Sequence, residues 1–81
     1  MNLIVLTPEK EIFQGEIVSV KVPGSGGSFE ILKDHAPIVS SLIEGEVKIN
    51  STSGESKIFN ISQGFVEVLG KEVSLLVQGV N

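Results

Sequence analysis

The segment Val18-Ser19-Val20-Lys21-Val22-Pro23-Gly24-Ser25-Gly26-Gly27-Ser28-Phe29-Glu30-Ile31 carries most of the fold decision. Val18, Val20 and Val22 share one parity and Ser19 and Lys21 take the other, so a period of two places the valines on one face of a strand. The glycine run that follows supplies the positive φ a tight turn needs. Phe29-Glu30-Ile31 then reads as a second strand, which makes the whole segment an antiparallel hairpin. The same glycines could suggest a phosphate-binding loop. Such loops need a following helix whose N–H groups converge on the anion, and here a strand follows with no Gly-Lys-Ser/Thr.

Outward from this hairpin the alternation recurs. Val47 and Ile49 are interleaved with Glu46, Lys48 and Asn50; Phe59 and Ile61 flank Asn60; Val73, Leu75 and Val77 are interleaved with Ser74 and Leu76. Turn signals fall between the runs at Thr7-Pro8, Glu44-Gly45, Ser51-Thr52-Ser53-Gly54, Gln63-Gly64 and Gly70-Lys71. No stretch sustains an i, i+3, i+4, i+7 pattern, so no substantial helix is expected. The chain reads as all-β, a small antiparallel β-sandwich of about 8–10 short strands. One domain over residues 1–81 is expected, without linker or repeat. The alternate-face apolar residues Ile17, Ile58 and Leu76 fit either a second sandwich layer or a surface for a partner.

Composition removes whole classes of function. The 81 residues include no cysteine, which excludes disulfides, thiolate nucleophiles and cysteine-based metal sites. All six basic residues are lysines, so there is no arginine finger or bidentate clamp on phosphate. A net charge of −4, with four Phe and no Trp or Tyr, argues against nucleic acid, which demands cations and stacking platforms. The longest apolar runs, such as Leu3-Ile4-Val5-Leu6, fall far short of the roughly 18 residues of a membrane-spanning helix. No signal peptide is apparent. The Asn-x-Ser/Thr triplets at Asn50 and Asn60 therefore read as chance sequons. The acidic residues Glu9, Glu11, Glu16, Glu44, Glu46 and Glu72 read as a solvated surface that discourages edge aggregation.

One segment departs from the alternation. Leu32-Lys33-Asp34-His35-Ala36-Pro37 places charges between two strand-like ends, and Pro37 has no N–H for a ladder. An exposed corner at Lys33-Asp34-His35 is expected. Asp34 and the lone His35 do not make a hydrolytic triad, because neighbours on an extended corner point apart and no Gly-x-Ser-x-Gly elbow exists. One histidine is also too few for a metal site. No catalytic, metal-binding or cofactor-binding residue is expected, and no cofactor.

The order of motifs is itself informative. Thr7-Pro8-Glu9-Lys10-Glu11-Ile12-Phe13-Gln14-Gly15 precedes Val18-Ser19-Val20-Lys21-Val22-Pro23-Gly24. Then come Gly27-Ser28-Phe29-Glu30-Ile31-Leu32-Lys33-Asp34-His35-Ala36-Pro37 and Ile61-Ser62-Gln63-Gly64-Phe65-Val66-Glu67-Val68. Together they resemble the N-terminal domain of the epsilon subunit of F-type ATP synthases, over nearly the whole chain. The resemblance implies a β-sandwich of about ten strands and a non-catalytic rotor subunit. Such a subunit joins the gamma subunit of the central stalk to the polar loops of the membrane c-ring, and reaches the catalytic head through gamma. It implies a peripheral position on the cytoplasmic side of a bacterial inner membrane. By the same resemblance Gly26, Gly27, Ser28, Glu30 and Lys33 are candidates to face the c-ring. Thr7, His35 and Ser40 are candidates to face gamma. Many relatives continue into a C-terminal helical hairpin, which these 81 residues leave no room for, so a coupling subunit without that brake is expected. The competing expectation is a lipoyl- or biotinyl-carrier-like sandwich, which would need a modifiable lysine at a symmetric hairpin tip, with Lys33 the position to consider.

Overall fold

Around the Ser25-Gly26 turn, strands β2 (Glu11–Gly24) and β3 (Gly27–Leu32) pair antiparallel, with Val22 opposite Phe29 and Gly24 opposite Gly27. Gly27 has φ 126°, a conformation that side chains with a Cβ avoid. The computed structural model describes all 81 residues. The remaining strands are β1 (Asn2–Leu6), β4 (Ile38–Leu42), β5 (Gly45–Ser51), β6 (Ser56–Ile61), β7 (Gln63–Leu69) and β8 (Glu72–Gln78). There is no helix, and the fold is a β-sandwich.

Strand β2 explains how one hydrogen-bonded sheet becomes two layers. Fourteen residues at about 3.3 Å each would reach roughly 46 Å, whereas the longest dimension of the molecule is 26 Å. The strand must therefore bend, and it does so at a bulge: Ile17 pairs with Ser51 and Ser19 with Asn50, leaving Val18 unpaired between them. Before the bulge β2 pairs with β1; after it, with β3 and β5, and at its last residue, Gly24, with Leu42 of β4. One layer is thus β3, the second half of β2, β5 and β6. The other is the first half of β2, then β1, β8, β7 and β4.

The bulge overturns one expectation. Val18 does not share a face with Val20 and Val22: the extra residue inverts the parity, leaving Val18 54% exposed while Ile17 is buried. Ile17 is accordingly a core residue, and Ile58 and Leu76 are not, at 55% and 52% exposed. Two further differences arise where local sequence carries no signal. Strands β1 and β8 pair in parallel, the single exception in an otherwise antiparallel fold. Gln63-Gly64 is not a turn: both residues belong to β7, and the break falls at Ser62. The strand total is eight, within the expected 8–10 though below the ten the resemblance implies, and β2 runs unbroken through both layers.

Sixteen apolar residues from both layers form one core. Val20, Val22, Ile31, Val47, Ile49, Phe59 and Ile61 come from one side. Leu3, Val5, Leu42, Val66, Val68, Val73, Leu75 and Val77 come from the other, with Ile17 at the bend. Buried Ser19 accepts from Asn50 Nδ2 at 2.9 Å, and Asn50 Oδ1 accepts from Ser56 Oγ at 2.8 Å, so the bulge leaves no buried side-chain polar atom unpartnered. After β8 the chain turns back, and Asn81 exchanges backbone hydrogen bonds with Asn60, covering part of the β6 edge. The accessible surface is 4777 Å², matching the roughly 4,700 Å² expected of a well-packed chain of this mass.

Candidate docking surfaces

The two outward faces of the sandwich differ in chemistry. On the β3–β2–β5–β6 layer, cross-strand neighbours run Glu30–Lys21–Lys48–Ile58 and Leu32–Ser19–Asn50–Ser56, so charge and hydrogen-bonding groups dominate. On the opposite layer, Leu6 of β1 lies beside Leu76 of β8, and Leu76 lies beside Phe65 of β7. Each points outward because its chain neighbours Val5, Leu75, Val77 and Val66 point into the core. Ile4, Val39 and Leu69 share this face, with Ser74 and Glu67 set between them. Phe65 is 57% exposed and Val39 72%. At one end of the band the chain leaves β1 through Thr7 and Pro8, enclosing a groove of about 510 Å³ that includes Leu6, Phe65 and Leu76. Thr7 Oγ1 accepts from the Lys10 N–H at 3.1 Å and its own N–H donates to Lys10 O at 2.8 Å, which fixes the loop wall.

The band settles the status of Leu76. It belongs to an exposed apolar face rather than to a second layer. A sequence signal was available: Phe65-Val66 and Leu75-Leu76-Val77 each place consecutive apolar residues in strands, where only one parity can enter the core.

The candidates for the c-ring lie along one edge. Gly26 and Gly27 form the β2–β3 hairpin tip, and Ser28 and Glu30 are exposed on β3, which has β2 as its only partner strand. A Cβ on Gly24 would meet Phe29 Cε1 at 2.7 Å and Gly27 O at 2.8 Å, so glycine there lets the tip close tightly. Lys33 sits at the other end of β3, on the order of 20 Å from the tip at strand rise. It stands on a corner joining β3 to β4, and these two strands do not pair. That is not the symmetric hairpin tip a carrier domain would use.

The candidates for gamma are spread further. Thr7 lines the apolar groove. His35 lies at the opposite end of β4, beside a second cavity of about 540 Å³ with Lys33, Asp34, Lys71, Glu16 and Met1. Ser40 is half-buried between them; it lies opposite the buried Val66, so it shares the inward parity, and its hydroxyl donates to Ser41 O at 3.3 Å. These three residues therefore mark the length of β4 and its flanks, and the apolar band runs alongside. No three of the His, Asp and Glu side chains are grouped to hold a metal ion.

Residues 1–81 match the family described as ATP synthase, Delta/Epsilon chain, beta-sandwich domain. The chain belongs to this family. It is 40% identical over 80 residues to the ATP synthase epsilon chain of Chlorobaculum tepidum, covering 99% of this chain and 91% of the relative. It is 43% identical over 77 residues to the epsilon chain of Leptospira borgpetersenii, where it covers 94% of itself but 59% of the relative. Among solved structures, a chain of the Tetrahymena thermophila mitochondrial ATP synthase central stalk and c-ring superposes with a TM-score of 0.86 at 20% identity, over 99% of this chain and 64% of that one. A chain of the Euglena gracilis mitochondrial enzyme gives 0.90 at 20% identity, over 98% and 51%. At that identity these two likenesses speak for the fold. The epsilon chain is a structural subunit of ATP synthase and not catalytic by itself.

Proposed function

We propose that this chain joins the gamma subunit of an ATP synthase central stalk to the polar loops of the c-ring, so that proton-driven rotation reaches the catalytic head. The observation that carries the proposal is the contrast between the two outward faces. Leu6, Leu76 and Phe65 are contiguous across three strands, whereas exposed apolar residues of the other layer, Leu32 and Ile58, stand beside Ser19 and Lys48, and a contiguous apolar line is what a partner covers. Docked on gamma, the band is removed from water. Thr7 then forms the rim of the contact at one end of β4 and His35 the rim at the other; Ser40, of inward parity, lies behind the contact and not in it. The hairpin tip and β3 edge, with Gly26, Gly27, Ser28 and Glu30, stay free for the ring, while Lys33 stands at the far corner beside His35. Two patches of ~800 Å² would occupy about a third of the 4777 Å² surface, so both partners fit at once. The complex would place the chain peripherally, on the cytoplasmic side of a bacterial inner membrane. Partner binding would also stabilise a small domain by linkage.

Reconstitution tests the proposal. ATP synthase depleted of this subunit is expected to regain coupled proton transport and ATP synthesis when the chain is added back. Leu76→Lys, which charges the centre of the band, is expected to prevent recovery while leaving the free protein folded. Recovery with Leu76→Lys equal to that with the native chain would remove the apolar face as the stalk contact.

A further inference from the structure

We infer that the β3–β4 corner locks His35 in its Nδ1–H tautomer and presents the Nε2 lone pair as a hydrogen-bond acceptor for a neutral donor on the docked partner. The second half rests on the proposed gamma contact. His35 Nδ1 lies 2.7 Å from the Ala36 carbonyl oxygen. A carbonyl can only accept, so the proton must sit on Nδ1. In the neutral ring the other nitrogen is then bare and can only accept.

The corner is shaped to hold this arrangement. His35 N–H donates to Leu32 O at 3.2 Å, closing the turn, and Asp34 adopts a left-handed φ of 67°, which aspartate tolerates better than most residues. Ala36 precedes Pro37, which holds its backbone extended and so fixes where its carbonyl lies. The imidazole is half-buried, and the Ala36 carbonyl is its one hydrogen-bond partner within the chain. Its Nε2 therefore has no partner in the isolated chain.

The surroundings select the kind of donor. The cavity beside the ring is bounded by Lys33 and Asp34 of the corner, Lys71 of the β7–β8 turn, Glu16 of β2 and the Met1 amine. The Met1 amine is held by Glu16 at 3.1 Å. Three cations against two carboxylates disfavour a further cationic group. A backbone N–H, side-chain amide or hydroxyl of gamma meets the requirement.

Two measurements test this separately. Long-range ¹H–¹⁵N correlation on the ¹⁵N-histidine-labelled free chain with the ring neutral is expected to show a protonated Nδ1 and a bare Nε2. The Nε2–H form, which unconstrained imidazole side chains favour in water, would overturn the lock. For the acceptor, His35→Asn keeps an amide nitrogen near the Nδ1 position and removes the Nε2 group. Titrated into ATP synthase depleted of this subunit, it is expected to raise Kd roughly five- to tenfold, the worth of one hydrogen bond. Unchanged backbone resonances from Ile31 to Ile38 would show the corner intact. His35→Gln, whose amide reaches the Nε2 position, is expected to recover part of the affinity. Asparagine binding as tightly as histidine with the corner intact would overturn the acceptor role. Failure of the native chain to bind would instead sink the stalk reading and the acceptor role with it, while the tautomer result stands alone.

Discussion

Replacing Phe65 with alanine separates a docking residue from a packing one. The ring is 57% exposed in the free chain, which leaves on the order of 110 Å² of a phenylalanine's ~200 Å² still to be buried by a partner. At ~25 cal/mol per Å² that is worth nearly 3 kcal/mol, and about 2 kcal/mol once the alanine methyl is allowed for. The expected result is a roughly thirtyfold rise in Kd for the gamma-containing complex. The free chain loses less by the same change: the ~85 Å² of Phe65 already buried, less alanine's own share, is worth about 1 kcal/mol at the same coefficient, and Val66 and Val68 still supply the core contacts of β7; the unfolding free energy from urea titration is expected to fall by no more than that. Titration calorimetry or surface capture gives the affinity, and denaturation gives the stability. Ile58→Ala is the control: Ile58 is equally exposed, at 55%, but sits on the charged outer face. Equal effects of Phe65→Ala and Ile58→Ala on affinity, or an affinity loss in Phe65→Ala matched by a drop in stability, would refute the assignment of faces.

Three other outcomes follow from packing. Leu75→Ala empties a fully buried position in the centre of β8 and is expected to cost about 2–5 kcal/mol in equilibrium unfolding. Gly64→Ala would place a Cβ 2.6 Å from the Leu76 carbonyl oxygen and 2.9 Å from Val77 Cγ1; since β7 and β8 must separate to admit it, a loss of about 1–3 kcal/mol is expected by thermal denaturation. Asn50→Ala strands the hydroxyl of buried Ser19 beside the bulge. It is expected to cost about 1–3 kcal/mol, while Asn50→Ala with Ser19→Ala costs less than the single change.

Much of the fold was readable because most strands bury one face, and a half-buried strand writes its orientation into alternate residues. Val47 with Ile49, Phe59 with Ile61, and Val73, Leu75 and Val77 all lie inward as their spacing indicates. The misreadings share a cause. The bulge at Val18 adds one residue whose only trace is a partner strand elsewhere in the chain, so local parity gave Val18 the wrong face. Gly64 resembles a turn glycine, but its missing side chain serves the close approach of β8, which local sequence does not reveal. The parallel pairing of β1 with β8 joins segments about 70 residues apart and leaves no local mark. The candidate surface was legible in outline only: family resemblance pointed to Thr7, His35 and Ser40, while the band of Leu6, Leu76 and Phe65 emerges from register across three strands. It takes two pairings to put those side chains in line.

Because β2 is one covalent strand shared by both layers, the sandwich has no slip plane. In a sandwich whose layers meet only through side chains, shear is resisted by van der Waals contacts that can be exchanged for equivalent ones a residue along. Here such a displacement would have to stretch or re-register fourteen continuous residues, breaking ladders to β1, β3 and β5 together. A load applied at the Ser25-Gly26 tip can pass along β2 through the kink at Val18, and also directly into β4, where Gly24 pairs with Leu42 and the Ser25 N–H donates to Ser41 O at 3.1 Å. For a part proposed to sit between a turning ring and a shaft, the backbone thus offers two stiff routes from the tip into the layer with the apolar band.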